Sequence, residues 1–295
     1  MPKNILLTGI HRSGSTWAGT VLSQAKNTLY VNEPFNIDLH TRSPLNNWFQ
    51  YLSESPTGQQ DKTVSYLNTF SSVVNSRTIS KFFKIRSVED AKYLWSHILG
   101  NKTNRYIYKD PLAIMSAEWI YKRLQWEIVI MIRHPAAFVA SLKEKKWRFD
   151  FNDFLSQETL LKTHLHDYAG TIRKYAREEQ DLVSQGILLW NIVYTTVHYF
   201  KKKYRTNWYF ARHEDLSDKP LDEYNRIFEF LDLEFDQHVQ KFITDSTNPD
   251  SEDRLKRDAK RNITLWKERL PSDEIARIKA ETQPVWEHFY SEEDW

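Results

Sequence analysis

The chain has 295 residues, of which 40% are hydrophobic and 14% aromatic, and it carries a formal net charge of +2. That length holds one large or two small domains with a sizeable core, and the near-balanced charge excludes a strongly basic chain of the kind that coats nucleic acid. With no cysteine there is neither a disulfide framework nor a thiolate metal site, and no run of about 18 apolar residues marks a membrane span.

A reducing cytoplasm is the simplest setting. The apolar segment near the N-terminus is too short and too soon broken for a signal peptide. A first strand is predicted over Asn4 to Thr8, followed by a loop with Gly9 and Gly14 and a helical pattern through Trp17, Val21 and Leu22. Further strands are predicted over residues 28–34, 105–111, 127–135 and 207–216. An insertion at 36–104 begins with turn formers and ends with helical periodicity from Val88 to Leu99. A second, at 147–203, reads as two or three helices, with "GILLWNIVYTTVHYF" buried. A helix near Leu221 to Leu231, a polar basic stretch and a last helix from "PSDEIARIKAE" complete the chain. Short apolar strands alternating with amphipathic helices predict an α/β domain over 1–295, with a buried parallel sheet of about five strands and helical insertions.

The first loop carries the strongest chemical signal. Gly9, Gly14 and Thr16 keep the frame G-x-x-x-x-G-x-[ST] of a nucleotide-binding P-loop, but Ser15 stands where its lysine belongs. A strand, a glycine turn and a helix start form an anion cradle: the amides of Ser13 to Trp17 point at the ligand and the helix dipole favours negative charge. Ser13, Ser15 and Thr16 add hydroxyls, and Arg12 adds a planar cation suited to phosphate or sulfate. In the kinases and ATPases of this class the lysine reaches the β- and γ-phosphates beside magnesium. Its absence, together with a basic residue at the end of strand four, fits an anion site without metal.

The second signal is "IRHPAAFVASL". Arg133 ends strand four, Pro135 opens a helix at its favoured first position, and Ser141 lies about two turns on. Arg133 and Ser141 are placed to hold a further anionic group from two sides.

Together, "TGIHRSGSTW" and "IRHPAAFVASL" resemble the sulfotransferases that use 3'-phosphoadenosine-5'-phosphosulfate. The motif order agrees over most of the chain, with "YFARHEDL" and "LWKERLPSDEIARI" as weaker matches. The resemblance implies a three-layer P-loop-type fold and a metal-free reaction. It implies that the first loop binds the 5'-phosphosulfate, with Arg12 where the cytosolic branch has lysine and Ser13, Gly14, Ser15, Thr16 and Trp17 matching S-G-T-T-W. It implies that Arg133 and Ser141 bind the 3'-phosphate and that His213 lies beside the adenine. The basic stretch Arg254 to Arg261 falls where a C-terminal loop adds phosphate contacts.

One departure bears on catalysis. The cytosolic branch has a K-T-H motif after strand three, with histidine as base, whereas this chain has Lys109, Asp110 and Pro111. Lys109 is kept to stabilise the leaving phosphate with Arg12, and the histidine is lost. Glu33, in "VNEPFN" at the mouth of strand two, resembles the glutamate of the carbohydrate sulfotransferases and is the candidate base, with Asp110 as its competitor. The expected acceptor is a hydroxyl of a carbohydrate or glycan, or a small molecule, bound by the two insertions. A phosphotransferase with a noncanonical loop is the alternative enzyme, opposed by the missing lysine. An inert anion- or glycan-binding module is opposed by the joint retention of Arg12, Glu33, Lys109, Arg133 and Ser141. His164 and His166 lack a third metal ligand at a usual spacing and read as a solvated helix face; the basic runs at 143–147 and 201–205 read as solvated helix ends, the first with the alternative of edging an anionic acceptor's groove.

Overall fold

A computed structural model of the protein describes residues 3–54, 58–71, 105–247 and 260–295. The periodicity from Val88 to Leu99 and all but the last two residues of the basic stretch 254–261 lie outside the described residues.

Five strands form one parallel sheet: β1 (Ile5–Gly9), β2 (Thr28–Asn32), β3 (Arg105–Lys109), β4 (Glu127–Ile132) and β5 (Tyr209–Arg212), in the spatial order β2-β3-β1-β4-β5. All five strands read from the sequence are present; β1 lies one residue further on than expected, and the other four have shorter ends. Prolines at 34, 111 and 135 explain three of these ends. Proline has no N–H for the ladder, so β2, β3 and β4 stop two or three residues before it. β5 stops because His213 opens a helix.

The helices in chain order are α1 (Ser15–Leu22), α2 (Gly58–Ser71), α3 (Ala117–Leu124), α4 (Pro135–Lys145), α5 (Asn152–Leu155), α6 (Glu158–Thr163), α7 (Ala169–Arg177), α8 (Leu182–Lys203), α9 (His213–Asp218), α10 (Pro220–Phe230), α11 (Gln237–Thr247), α12 (Arg261–Thr264), α13 (Trp266–Arg269) and α14 (Ser272–Trp286). The second insertion therefore holds four helices, α5 to α8, rather than two or three. Two of them have six residues or fewer, too short to show a helical period.

Alternate strand residues face opposite ways, and both faces are covered. Ile5 and Leu7 of β1 pack with Trp17, Val21 and Leu22 of α1 and with Tyr224 and Phe228 of α10. Leu6 packs on the other side, with Phe138 of α4 and Trp190 and Tyr194 of α8. Each such side chain contributes about 1.5–3 kcal/mol on burial, so the sheet is a rigid platform. Its strand order reverses at β1: the chain runs from β1 out to β2 and β3 on one side, then crosses to β4 and β5 on the other. Ligands in open α/β sheets bind beyond the strand carboxyl ends at such a point.

Candidate active site

The turn from β1 into α1 is shaped by left-handed backbone. Arg12 has φ 65° and Gly14 φ 87°. A Cβ on Gly14 would lie 2.2 Å from Cδ2 of His213, so the residue must be glycine for His213 to pack over the loop. The first i→i−4 bond of α1 runs from the Ala18 amide to the Gly14 carbonyl at 3.1 Å. The amides of Ser15, Thr16 and Trp17 precede it and have no acceptor within the helix. They form the positive end of the helix dipole. Ser15 is buried and Thr16 exposed. The Ser13 hydroxyl is buried with no hydrogen-bond partner among the described residues. The Trp17 side chain turns into the core, where its indole N–H donates to Ser246 at 3.2 Å and its ring meets Tyr224 edge-on. Only its backbone is left to serve the cradle.

β4 delivers Arg133. Its amide donates to the Tyr194 hydroxyl at 2.8 Å, and its carbonyl accepts from the Trp190 indole at 2.9 Å, so α8 clamps the backbone at the strand end. The guanidinium donates to Nδ1 of His213 and to the Asn262 carbonyl at 3.4 Å. Because a guanidinium has no acceptor, Nδ1 of His213 carries the lone pair and Nε2 the proton in the neutral ring. Nε of Arg133 is 3.7 Å from Glu214, whose carboxylate also accepts from the His134 amide at 3.1 Å and the Tyr290 hydroxyl at 2.9 Å.

Ser141, on α4, accepts a hydrogen bond from Nε of Arg12 at 2.8 Å. The Arg12 guanidinium lies 5.4 Å from the centre of the Trp147 ring. Arg12, Gly14, Ser15, Thr16, Arg133, Ser141 and His213 all line one cavity of about 430 Å³. Asn262, Trp266, Lys145 and Arg269 also line it and were missed in the sequence. The "LWKERL" match contained two of them, Trp266 and Arg269. Four cations (Arg12, Arg133, Lys145, Arg269) face a single carboxylate, Glu144, so the cavity is electropositive. Glu144 is itself ion-paired with Arg269.

Glu33 and Lys109 do not line this cavity; they pair with each other at the carboxyl ends of β2 and β3. The Lys109 stem is buried against Gly19 of α1, where an added Cβ would come within 3.2 Å of it. Glu33 has φ 47°, a left-handed conformation that ends β2, and its second carboxylate oxygen accepts from the Asn36 side chain at 2.8 Å. Asp110 is fully buried. Its oxygens accept from the amides of Phe35 and Leu112, the latter at 2.9 Å, which caps a 3₁₀ turn over Pro111–Ser116. Burial pushes its carboxyl up to about 7 against those hydrogen bonds.

The weaker sequence features find ordinary places. His164 is not on a solvated face: its ring is half-buried edge-on against Tyr51 and Tyr199. His166 is exposed beside Asp167. Lys143 pairs with Glu274 at 2.7 Å and Lys203 with Glu118 at 2.7 Å. Among the described residues no group of three or more His, Cys, Asp or Glu is arranged to hold a metal ion, and no helix is long and apolar enough to cross a membrane.

The model of a family described as the sulfotransferase domain matches residues 2–274. Among solved structures, the sulfotransferase domain of the olefin synthase from Synechococcus PCC 7002 is 16% identical, with a TM-score of 0.52 over 99% of this chain and 95% of that one. Mouse sulfotransferase SULT7A1, solved in complex with PAP, is 12% identical, with a TM-score of 0.48 over 99% of this chain and 86% of that one. Sulfotransferase STF9 from Mycobacterium avium is also 12% identical, with a TM-score of 0.48 over 99% and 78%. The first of these shares the fold. A search of curated protein sequences finds no match.

Proposed function

The chain belongs to the sulfotransferase-domain family and is a sulfuryl-transferring enzyme, and from that premise we propose that it sulfates a hydroxyl of a carbohydrate or glycan, with Glu33 as the general base. The observation that carries the reading is the convergence of Arg12, Ser15, Thr16, Arg133, Ser141 and His213 on one electropositive cavity at the reversal of the sheet.

The residues present fit 3'-phosphoadenosine-5'-phosphosulfate. A donor with two separated anionic ends suits a cavity with a helix N-terminus at one side and an arginine at a strand end at the other. When bound, the donor supplies a sulfuryl group on a phosphate leaving group. The amides of Ser15 to Trp17 and the hydroxyls of Ser15 and Thr16 hold the 5'-phosphate in this reading. Arg133 and Ser141 hold the 3'-phosphate, which distinguishes the donor from ATP. His213, fixed by Arg133 and packed over Gly14, lies beside the base. Arg12 and Lys109 offset the charge left on the phosphate, a contribution of the electrostatic kind that dominates such transfers.

Glu33 would take the proton from the acceptor hydroxyl as the hydroxyl oxygen bonds to sulfur and the bond between sulfur and the 5'-phosphate oxygen breaks. Asp110 is a poorer candidate, because it is fully buried and both its oxygens already accept backbone amides. Glu33 keeps partial exposure and sits beside Lys109. Phosphate competes with Glu33 for the Lys109 ammonium, so the same cation that neutralises the leaving group frees the base. The carbohydrate acceptor is supported by the Glu33-Pro34 pair and by the many aromatic side chains.

Transfer of labelled sulfate to a panel of glycans, glycolipids and phenols tests the reading. Transfer to a sugar hydroxyl is expected. Labelling confined to phenols would remove the carbohydrate assignment. Activity with ATP and magnesium alone would remove sulfuryl transfer.

A further inference from the structure

We infer that His11 and Trp147 form the wall against which the acceptor ring binds, with Trp147 stacking on a flat sugar face and His11 hydrogen-bonding a hydroxyl of that ring. The inference rests on the sulfuryl-transfer reading and narrows its acceptor to a hydroxylated ring with an apolar face, of the hexopyranoside kind.

His11 is a titratable group at the cradle that the proposed mechanism leaves unused. Its ring lies 5.4 Å from Phe138, 6.0 Å from Phe49, 6.2 Å from Trp48 and 6.3 Å from Trp147, centre to centre. Three separate segments thus bring aromatic rings around one imidazole. Among the described residues its Nδ1 has no hydrogen-bond partner. A buried nitrogen without a partner costs free energy, and Nε2, which keeps accessible surface, is the edge that a ligand can reach. Phenylalanine would pack there at no such cost.

Its chemical state suits an uncharged partner. Burial, and then the neighbouring charge of Arg12, lower its pKa to about 4. At neutral pH the ring is therefore neutral, and because Nδ1 is closed off within the cage, Nε2 is the nitrogen left for a sugar hydroxyl.

Its position joins the wall to the donor cavity. Arg12 follows it in sequence, lines that cavity, and lies 5.4 Å from the same Trp147 ring that His11 approaches. Trp147 is 46% exposed, unusual for so large a side chain. The second indole, Trp48, is held by hydrogen bonds from its ring N–H to Asp38 and from its amide to Asp153, both at 3.1 Å, so its orientation is fixed. An exposed indole, a fixed indole and a neutral imidazole beside an anion cavity suit a ligand that is polar at its edge and apolar on its face.

The test uses 4-nitrophenyl β-galactoside as acceptor probe and adenosine 3',5'-bisphosphate as donor probe, with the variants His11→Phe and Trp147→Ala. His11→Phe keeps an aromatic ring in the cage, and Trp147 is exposed, so both variants should fold. The expected result is an acceptor KM raised about tenfold or more in each, with calorimetric affinity for the bisphosphate unchanged within about twofold. Unchanged acceptor KM in both variants, or an equal loss of bisphosphate affinity, would overturn the wall. Direct binding of the galactoside to the bisphosphate-loaded wild type, read by tryptophan fluorescence, separates the two claims. Binding that both variants abolish, without any sulfate transfer, sinks the sulfuryl-transfer reading and upholds the wall. No binding at millimolar galactoside overturns the wall, whatever the enzyme transfers.

Discussion

Nε of Arg12 donates a hydrogen bond to Oγ of Ser141 at 2.8 Å, joining the loop after β1 to α4 across 129 residues of sequence. The two residues come from the two motifs read independently in the chain. Their contact makes the halves of the candidate donor site one unit, so a change at Ser141 reaches both.

Ser141→Ala removes a hydroxyl that holds Arg12 and, in the proposed function, the 3'-phosphate. A hydrogen bond to a charged group contributes about 1.5–3 kcal/mol, so affinity for adenosine 3',5'-bisphosphate should fall about tenfold or more. Titration calorimetry checks it. An unchanged Kd would mean that Ser141 only positions Arg12 in the empty protein.

Glu33→Gln keeps the shape of the side chain and an oxygen for Lys109 but removes the base of the proposed mechanism. General-base catalysis contributes about 10²–10⁴-fold, and turnover should fall by that factor with bisphosphate affinity retained. The substitution also leaves the buried Lys109 without its countercharge, so a lower Tm is expected alongside. Full activity in this variant would move the proton to another group.

Much of this was legible in the chain because local chemistry carried it. The strands are apolar runs closed by prolines, and the cradle is a glycine frame between a strand and a helix. What was hidden depends on tertiary placement. Lys145 reads as part of a solvated basic run and Arg269 has no role of its own until α4 and α13 fold against one cavity. Trp17 matches a motif, yet its position on α1 sends the ring inward to Tyr224. The Lys109–Glu33 pair arises because Asn32 and Lys109 lie in register across β2 and β3, which no spacing in the sequence announces.

Gly14→Ala should be costly for two separable reasons. An L-residue pays about 1–2 kcal/mol in left-handed backbone, and the new Cβ would meet His213 at 2.2 Å. Urea denaturation should show a loss of about 2 kcal/mol or more. Adding His213→Ala should recover the steric part alone. Additivity of the two substitutions in a double-mutant cycle would refute the contact.

His134 sets a pH dependence of stability. Its ring stacks on Trp266 at 5.0 Å and meets Trp295 at 4.3 Å, with both nitrogens unpartnered among the described residues. Burial is the largest cause of a pKa lowered from 6.5 to about 3, and the charge of Asp294 opposes it. The folded state thus binds this proton more weakly than the unfolded state. The stabilising contribution is complete above pH 6.5 and declines as pH falls toward 3, by up to about 1.4 kcal/mol per unit. His134→Phe preserves an aromatic ring between the indoles and removes the titration. Between pH 7.5 and 5 the wild type should lose about 2 kcal/mol more than this variant in urea. His11, lowered to about 4, adds an equal background to both proteins, so the difference between their profiles isolates His134. Parallel profiles would show that the ring is already protonated, or solvated, in the folded state.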